Sequence, residues 1–116
     1  MIDQAASPAA WTIVESPHDG QQRATQLLLS GELDIAVAPQ LVMTLDTLVA
    51  AGCRQLNVHL DTVTFTDAAI LGALVATHNR MAADGGALVV TCPGGQPRRL
   101  LRLTGLEHLL APADLP

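Results

Sequence analysis

Two kinds of short apolar segment alternate along the chain, and this alternation restricts the possible folds more than any other feature of the sequence. "QLNVHLDTV" and "ALVVTC" show the alternating or continuous apolar pattern of strands. "APQLVMTLDTLVAAG" instead places Leu41, Leu45 and Leu48 at the i, i+4, i+7 spacing of one helix face. Strands that alternate with helices predict an α/β domain with a mostly parallel sheet.

The predicted fold is a single α/β domain over residues 1–116, with a small mixed, mostly parallel sheet and the element order β-β-α-β-α-β-α. The core is expected at about residues 10–110, between frayed tails, and the carboxyl-terminal segment "HLLAPADLP" is expected to be one of these tails. Strands are predicted at about residues 10–16, 24–34, 55–60 and 87–92. Helices are predicted in "APQLVMTLDTLVAAG", in residues 68–83 and in "QPRRLLRLTGL". We expect the first strand at the sheet edge, a break in the second at Ser30-Gly31, and parallel pairing of strands two to four.

Composition excludes several classes of function. The net charge is −5, and Trp11 and Phe65 are the only aromatic residues, so we expect no nucleic-acid partner. The longest uncharged apolar run, residues 68–77, is shorter than the ~20 residues that span a bilayer. The first ten residues lack the pattern of a signal peptide. We therefore expect a cytoplasmic protein without direct membrane insertion.

The residue types that carry catalysis or bind metals are scattered. There is no CxxC motif and no pair of histidines at metal-ligand spacing, so no metal site and no cofactor are predicted. No Ser-His-Asp or Cys-His arrangement is evident either. We therefore expect a protein that is not an enzyme.

Asp67 lies where a strand gives way to a helix. Asp is among the most favourable N-cap residues, because its carboxylate accepts hydrogen bonds from the free N–H groups of the first turn. Asp34 ends the preceding parallel strand, and we expect it at the same edge of the sheet as Asp67. By its residue type alone, Asp34 either contacts a partner or caps a local turn.

The helix after Asp67 is apolar nearly all round in its first half. Ala68, Gly72 and Ala76 recur at i, i+4, i+8 and form a ridge of small side chains. This ridge either packs tightly on the domain's own sheet or admits another backbone at close range. Its place at the end of an α/β sheet favours a recognition surface.

Four segments, "GELDIAVAPQL", "TFTDAAILGAL", "AADGGALVVTCP" and "LLRLTGLEHLL", resemble the STAS domain of bacterial anti-sigma factor antagonists in order and spacing. The resemblance covers about residues 25–110 and implies a small mixed sheet with helices. It also implies a switch based on protein interaction. Such antagonists bind an anti-sigma factor, often an ATP-binding serine kinase, and thereby release a sigma factor.

The resemblance places the family's phosphorylated Ser at Ala68, which has no hydroxyl group. The second Ser or Thr of the motif corresponds to Ala69, and the usual Gly to Ile70, whose branched side chain is expected to alter docking. Thr66 and Thr64, expected in the same loop, are alternative phosphoacceptors, although threonine is common at strand exits. The implied partner-binding residues are Asp34, Thr64, Thr66, Asp67, Ala68, Ala69, Ile70 and Gly72.

Alternative functions and controls remain open. A STAS subunit of a membrane transport complex needs no phosphorylation cycle, and a ligand-sensing STAS module is a third hypothesis. Cys53 and Cys92 are predicted at opposite ends of parallel strands, roughly 15–20 Å apart, too far for a disulfide. Cys92 would share the Asp67 end, where it is either a redox site or an inert buried thiol. The sequence predicts no particular oligomeric state.

Overall fold

The computed structural model describes residues 9–18 and 22–111. The predicted order of the elements is confirmed. The strands are β1 (Ala10–His18), β2 (Gln22–Leu33), β3 (Gln55–Thr66) and β4 (Ala87–Thr91). The helices are α1 (Ala38–Ala50), α2 (Ala68–Ala83) and α3 (Gly95–Leu103), followed by a 3-10 helix at Glu107–Leu109.

The four strands form one mixed sheet in the order β1-β2-β3-β4. As predicted, β1 is an edge strand that pairs antiparallel with β2, while β2 and β4 both run parallel to β3. The carboxyl ends of β2 and β3 meet at one edge, where Leu33 pairs with Thr66. The ladder between β3 and β4 ends earlier, at His59 and Thr91.

The core lies on one face of the sheet. Burial alternates along the first half of β3, so that Leu56, Val58 and Leu60 are buried and the residues between them are only half-buried. The helices contribute to the same apolar cluster through Leu41, Leu45, Leu71, Leu74 and Leu101. The domain therefore has one layer of helices on the buried face of the sheet, and the opposite face is partly exposed to solvent.

The break predicted within β2 at Ser30-Gly31 is an irregularity of the ladder and not an interruption of the strand, since β2 continues to Leu33. The pairing of β2 with β3 instead shifts register between Leu28 and Ser30, and again between Gly31 and Glu32. Gly31 has a φ of 83°, which residues with a side chain rarely adopt. Glycine here permits a bulge in the ladder, and the strand continues beyond it.

β3 also extends past its predicted end at about residue 60, to Thr66. The added residues lack apolar alternation, since Asp61, Thr62, Thr64 and Phe65 are exposed. They stay extended because β2 pairs with this part of β3 up to its last residue. Thr64 and Thr66 are therefore strand residues, and the expectation that they lie in a loop was wrong.

The carboxyl-terminal tail was expected to be frayed, but its first part packs against the domain. Leu109 and Leu110 are buried, and Leu110 forms a parallel bridge with Val90 of β4. The backbone N–H of Ala111 donates to the carbonyl oxygen of Val90 at 2.7 Å. Residues 1–8 and 112–116, the remainder of the predicted frayed tails, lie outside the described residues.

Replacing Leu109 by Ala is expected to lower the free energy of unfolding by about 2–5 kcal/mol, the range for deleting a fully buried leucine side chain. Leu109 is 0% exposed, whereas Leu103 is 72% exposed and provides the matched control. Urea unfolding of Leu109→Ala and Leu103→Ala measures both effects. Equal, small losses for the two variants would contradict the packed position of the tail.

Candidate functional site

Asp34 and Asp67, which were predicted at the same edge of the sheet, each directly follow one of two neighbouring strands and so lie side by side. Asp34 follows Leu33 and Asp67 follows Thr66, and Leu33 and Thr66 are paired across the parallel ladder. Asp34 is exposed, and its Oδ1 accepts a hydrogen bond from the backbone N–H of Ala36 at 3.0 Å. This bond closes a tight turn after β2 and holds the Asp34 carboxylate at the strand end.

Asp67 is the N-cap of α2, as its position in the sequence predicted. Its backbone is extended, with φ of −120°, and its Oδ1 accepts a hydrogen bond from the N–H of Ile70 at 3.2 Å. The carboxylate therefore satisfies a free donor of the first turn and opposes the positive end of the helix dipole. It also places one negative charge beside the first exposed helical residue, Ala68.

The ridge of small residues on α2 faces away from the core. Ala68, Gly72 and Ala76 are exposed. A Cβ atom added at Gly72 would meet no atom within 4 Å, so packing inside the domain does not require a glycine there. Of the two interpretations of the ridge, the structure excludes tight packing on the domain's own sheet.

The buried face of α2 consists of larger residues from the same first turns. Ile70, Leu71 and Leu74 are at most 1% exposed, and Ala69 is half-buried. The structure thus places the branched side chain of Ile70 in the core and away from the exposed ridge. The difference arises because Ile70 lies about 200° around the helix from Ala68 at ~100° per residue.

The threonines near Asp67 differ in accessibility. Thr64 is exposed on β3, whereas Thr66 is 0% exposed. The Oγ1 atom of Thr66 is buried and has no hydrogen-bond partner among the described residues. Of these two alternative phosphoacceptors, Thr64 alone presents a hydroxyl group at the surface.

Gln96, which the sequence reasoning missed, holds the strand end next to Asp67. Its Oε1 accepts a hydrogen bond from the N–H of Thr66 at 3.0 Å, and its Nε2 donates to the carbonyl oxygen of Thr66 at 2.9 Å. A contact between residues thirty positions apart leaves no local pattern. The nearest signal in the sequence is the pair Gly94-Gly95, which indicates a turn into α3 but not the hydrogen bonds of Gln96.

The two cysteines lie at opposite ends of the parallel pair β3–β4, as predicted. Cys53 precedes β3 and Cys92 follows β4, and neither cysteine forms a disulfide bond. Cys92 is at the same end of the sheet as Asp67, but its side chain is 0% exposed. In this conformation the Cys92 thiol is shielded from external oxidants, which favours the inert interpretation.

The three arginines of α3 differ in their exposure to solvent. Arg99 and Arg102 are exposed, but Arg98 is half-buried and its Nη1 donates to the carbonyl oxygen of Cys92 at 2.8 Å.

Within the described residues, no group of three or more His, Cys, Asp or Glu side chains is placed to hold a metal ion. None of the described helices has the length and apolar character needed to cross a membrane.

The fold and the exposed helix start define a small α/β domain whose distinctive surface lies at the carboxyl ends of two parallel strands. A family model described as "Mlab, STAS domain" matches residues 18–111. The chain therefore belongs to the STAS domain family.

Relatives of known role are anti-sigma factor antagonists. The chain is 28% identical over 90 residues to the anti-sigma-B factor antagonist of Staphylococcus aureus strain NCTC 8325, covering 78% of this chain and 83% of the relative. An anti-sigma factor antagonist from Mycobacterium paratuberculosis superimposes with a TM-score of 0.72 at 29% identity, covering 87% of this chain and 83% of that one. The Bacillus cell fate determinant SpoIIAA in its phosphorylated form, at 17% identity and a TM-score of 0.67, shares the fold over 88% and 89% of the two chains.

Replacing Asp67 by Ala is expected to lower the free energy of unfolding by about 1 kcal/mol, because the first turn of α2 loses its cap. Asp67→Asn should lie within a few tenths of a kcal/mol of the native chain, since Asn caps equally well. Asp61→Ala, at an exposed position of β3, is the control for loss of a surface carboxylate. Urea unfolding measures all three, and equal stabilities of Asp67→Ala and Asp67→Asn would contradict the capping role.

Proposed function

We propose that this protein is an anti-sigma factor antagonist that binds its partner through the start of α2 and the adjoining turn after β2. The partner is an ATP-binding, kinase-like anti-sigma factor, whose capture releases a sigma factor. The observation that carries the proposal is the start of α2. Asp67 caps this apolar helix end, the ridge of small residues on it is exposed, and Ala68 has no hydroxyl group. The known roles of the relatives support it.

The proposed binding area, here called the docking surface, combines apolar and acidic groups. It consists of Asp34, Ile35, Asp67, Ala68, Gly72 and Ala76. Ile35 is 70% exposed in the turn after β2, next to the Asp34 carboxylate. A complementary partner surface would place apolar side chains against the ridge and positively charged or donor groups opposite the two carboxylates.

Ala68 makes binding independent of phosphorylation at this position. A phosphate there would add a charge of about −1.5 to −2 beside the Asp67 carboxylate and would disturb a closely packed interface. Since Ala68 has no hydroxyl group, the antagonist stays competent to bind whenever its partner is present. Thr64 remains as an exposed hydroxyl group on the same strand end, through which the partner could still act.

Ala68 also favours a second candidate function. A STAS subunit bound to a membrane transport complex requires no phosphorylation cycle, so the missing hydroxyl group would need no other explanation. The two candidates differ in the partner that the domain retains: a kinase-like protein in one case, and a permease or transport ATPase in the other.

Affinity capture from a lysate of the native cell, with and without ATP, tests the proposal through Ala68→Glu. The native chain should retain a kinase-like anti-sigma factor, identified by mass spectrometry, and Ala68→Glu should lose it at least tenfold by steric and charge conflict. A carboxylate in the first turn suits the helix dipole, so the variant should remain folded.

Ala82→Glu is the matched control, because it adds the same side chain at an exposed position in the last turn of α2. It should retain the partner as the native chain does. Equal retention by Ala68→Glu would contradict the docking surface. Retention of a permease or transport ATPase in place of an anti-sigma factor would establish the second candidate.

Ala68→Ser should restore a switch if the partner is a kinase that acts on this helix start. Incubation of the captured anti-sigma factor with ATP should add one phosphate at position 68 of Ala68→Ser and none at that position of the native chain. The phosphorylated variant should bind the anti-sigma factor more weakly than the unphosphorylated one. Intact-protein and peptide mass spectrometry measure the transfer, and an unmodified Ala68→Ser would show that the partner does not phosphorylate this site.

A further inference from the structure

The carboxyl-terminal half of β3 lacks a strand on one side. β4 pairs with β3 only as far as His59 and Thr91, after which its chain turns towards α3. β2 continues alongside β3 to the last pair, Leu33 and Thr66. The N–H and C=O of a residue in a parallel ladder face the same side. At Thr66 both groups point away from β2, to the side that β4 has left.

The side chain of Gln96 occupies this gap in the ladder. A carboxamide carries the same donor and acceptor as a peptide group, and here it supplies both to the backbone of Thr66, at 3.0 Å and 2.9 Å. The chemistry fixes its orientation, because the Thr66 N–H needs an acceptor and the Thr66 carbonyl oxygen needs a donor. Gln96 therefore replaces one residue of the missing strand.

Little else that is polar anchors Thr66 on this side. Its own hydroxyl oxygen is buried without a hydrogen-bond partner among the described residues. The next residue is Asp67, whose carboxylate caps α2 and whose carbonyl oxygen accepts the N–H of Leu71 at 3.3 Å. A shift of the Thr66 backbone would therefore move the cap, the first turn and Ala68 together.

We propose that Gln96 is a positioning residue for the docking surface: its carboxamide fixes the exit of β3 and thereby the start of α2. A movement of the exposed residues before α3, Pro93 and Gly94, is then transmitted to the docking surface. A partner that contacts these residues can tighten or loosen the helix start through Gln96. The positioning role rests on the geometry alone, and its effect on binding rests on the proposed function.

Amide hydrogen exchange of Gln96→Leu tests the positioning role without any partner. The variant keeps a side chain of similar size but removes both hydrogen bonds. Exchange at Thr66, Ile70 and Leu71 should accelerate roughly tenfold, as expected for local opening after the loss of two such bonds. Exchange at the centre of the sheet should change less, and Arg99→Leu, at an exposed position of the same helix, should change neither. Native rates at Thr66 and Ile70 in Gln96→Leu would overturn the proposal.

Gln96→Glu provides a second readout that depends on pH. The protonated carboxyl group has a donor and an acceptor and can restore both bonds, whereas the ionised group lacks the donor and opposes the Thr66 carbonyl oxygen. The folded state favours the neutral form and so raises the pKa of the introduced group. Its stabilising contribution is present below the unfolded value, about 4.3, and is lost as pH rises through the folded value.

The urea midpoint of Gln96→Glu should therefore lie further below that of the native chain at pH 7 than at pH 4. A difference in midpoint that is the same at both pH values would contradict the two hydrogen bonds between the Gln96 side chain and Thr66.

For the docking role, Gln96→Leu should bind the captured anti-sigma factor about tenfold more weakly than Arg99→Leu does. Equal binding with faster exchange would overturn the effect on docking. If the native chain retains no anti-sigma factor, the proposed function fails, while the exchange result still decides whether Gln96 positions the helix.

Discussion

The parallel pairing of β2 with β3 is the constraint on which the rest of this structure depends. Because the two strands run in the same direction and end at the same register, Asp34 and Asp67 enter their turns side by side. Each carboxylate then binds a backbone N–H two or three residues further on, and this fixes the turn after β2 and the start of α2. Antiparallel pairing of these strands would have placed the two residues at opposite ends of the sheet.

Within the first turns of α2, buried and exposed residues are close neighbours in the sequence. Ile70, Leu71 and Leu74 close the core, and residues one or two positions away remain exposed. The exposed set is small and apolar, which is unusual for a solvent-facing helix surface, where charged and polar residues are normal. Packing within the domain does not explain the exposed ridge, whereas the proposed docking of a partner backbone at close range would explain it.

The sequence predicted what local chemistry determines. The cap at Asp67, the extent of α2 and the parallel strands all follow from residue type and periodicity. The length of β3 did not, because "TVTFT" has no apolar alternation and is held extended only by its neighbour β2. The packing of Leu109 and Leu110 was missed for a similar reason, since their partner Val90 belongs to another element.

Gln96 shows the same limit at the candidate site. A glutamine in the first turn of a helix is unremarkable in sequence, and its significance depends on the early end of β4, which leaves Thr66 without a neighbour. The sequence thus predicted where a candidate site lies, but it did not predict the hydrogen bonds from Gln96 that support the strand end. Tertiary hydrogen bonds between distant residues carry no periodic signal.

The exposure of Ala68 separates the requirements of the fold from those of the proposed regulation. The first helical position contributes little to the core, so a hydroxyl group can be gained or lost there by a single codon change at little cost in folding. The stability of the fold instead depends on the cap at Asp67 and on the buried side of α2. Under the proposed function, a single substitution at this position would therefore convert the domain between a switchable and a permanently active form without loss of the fold.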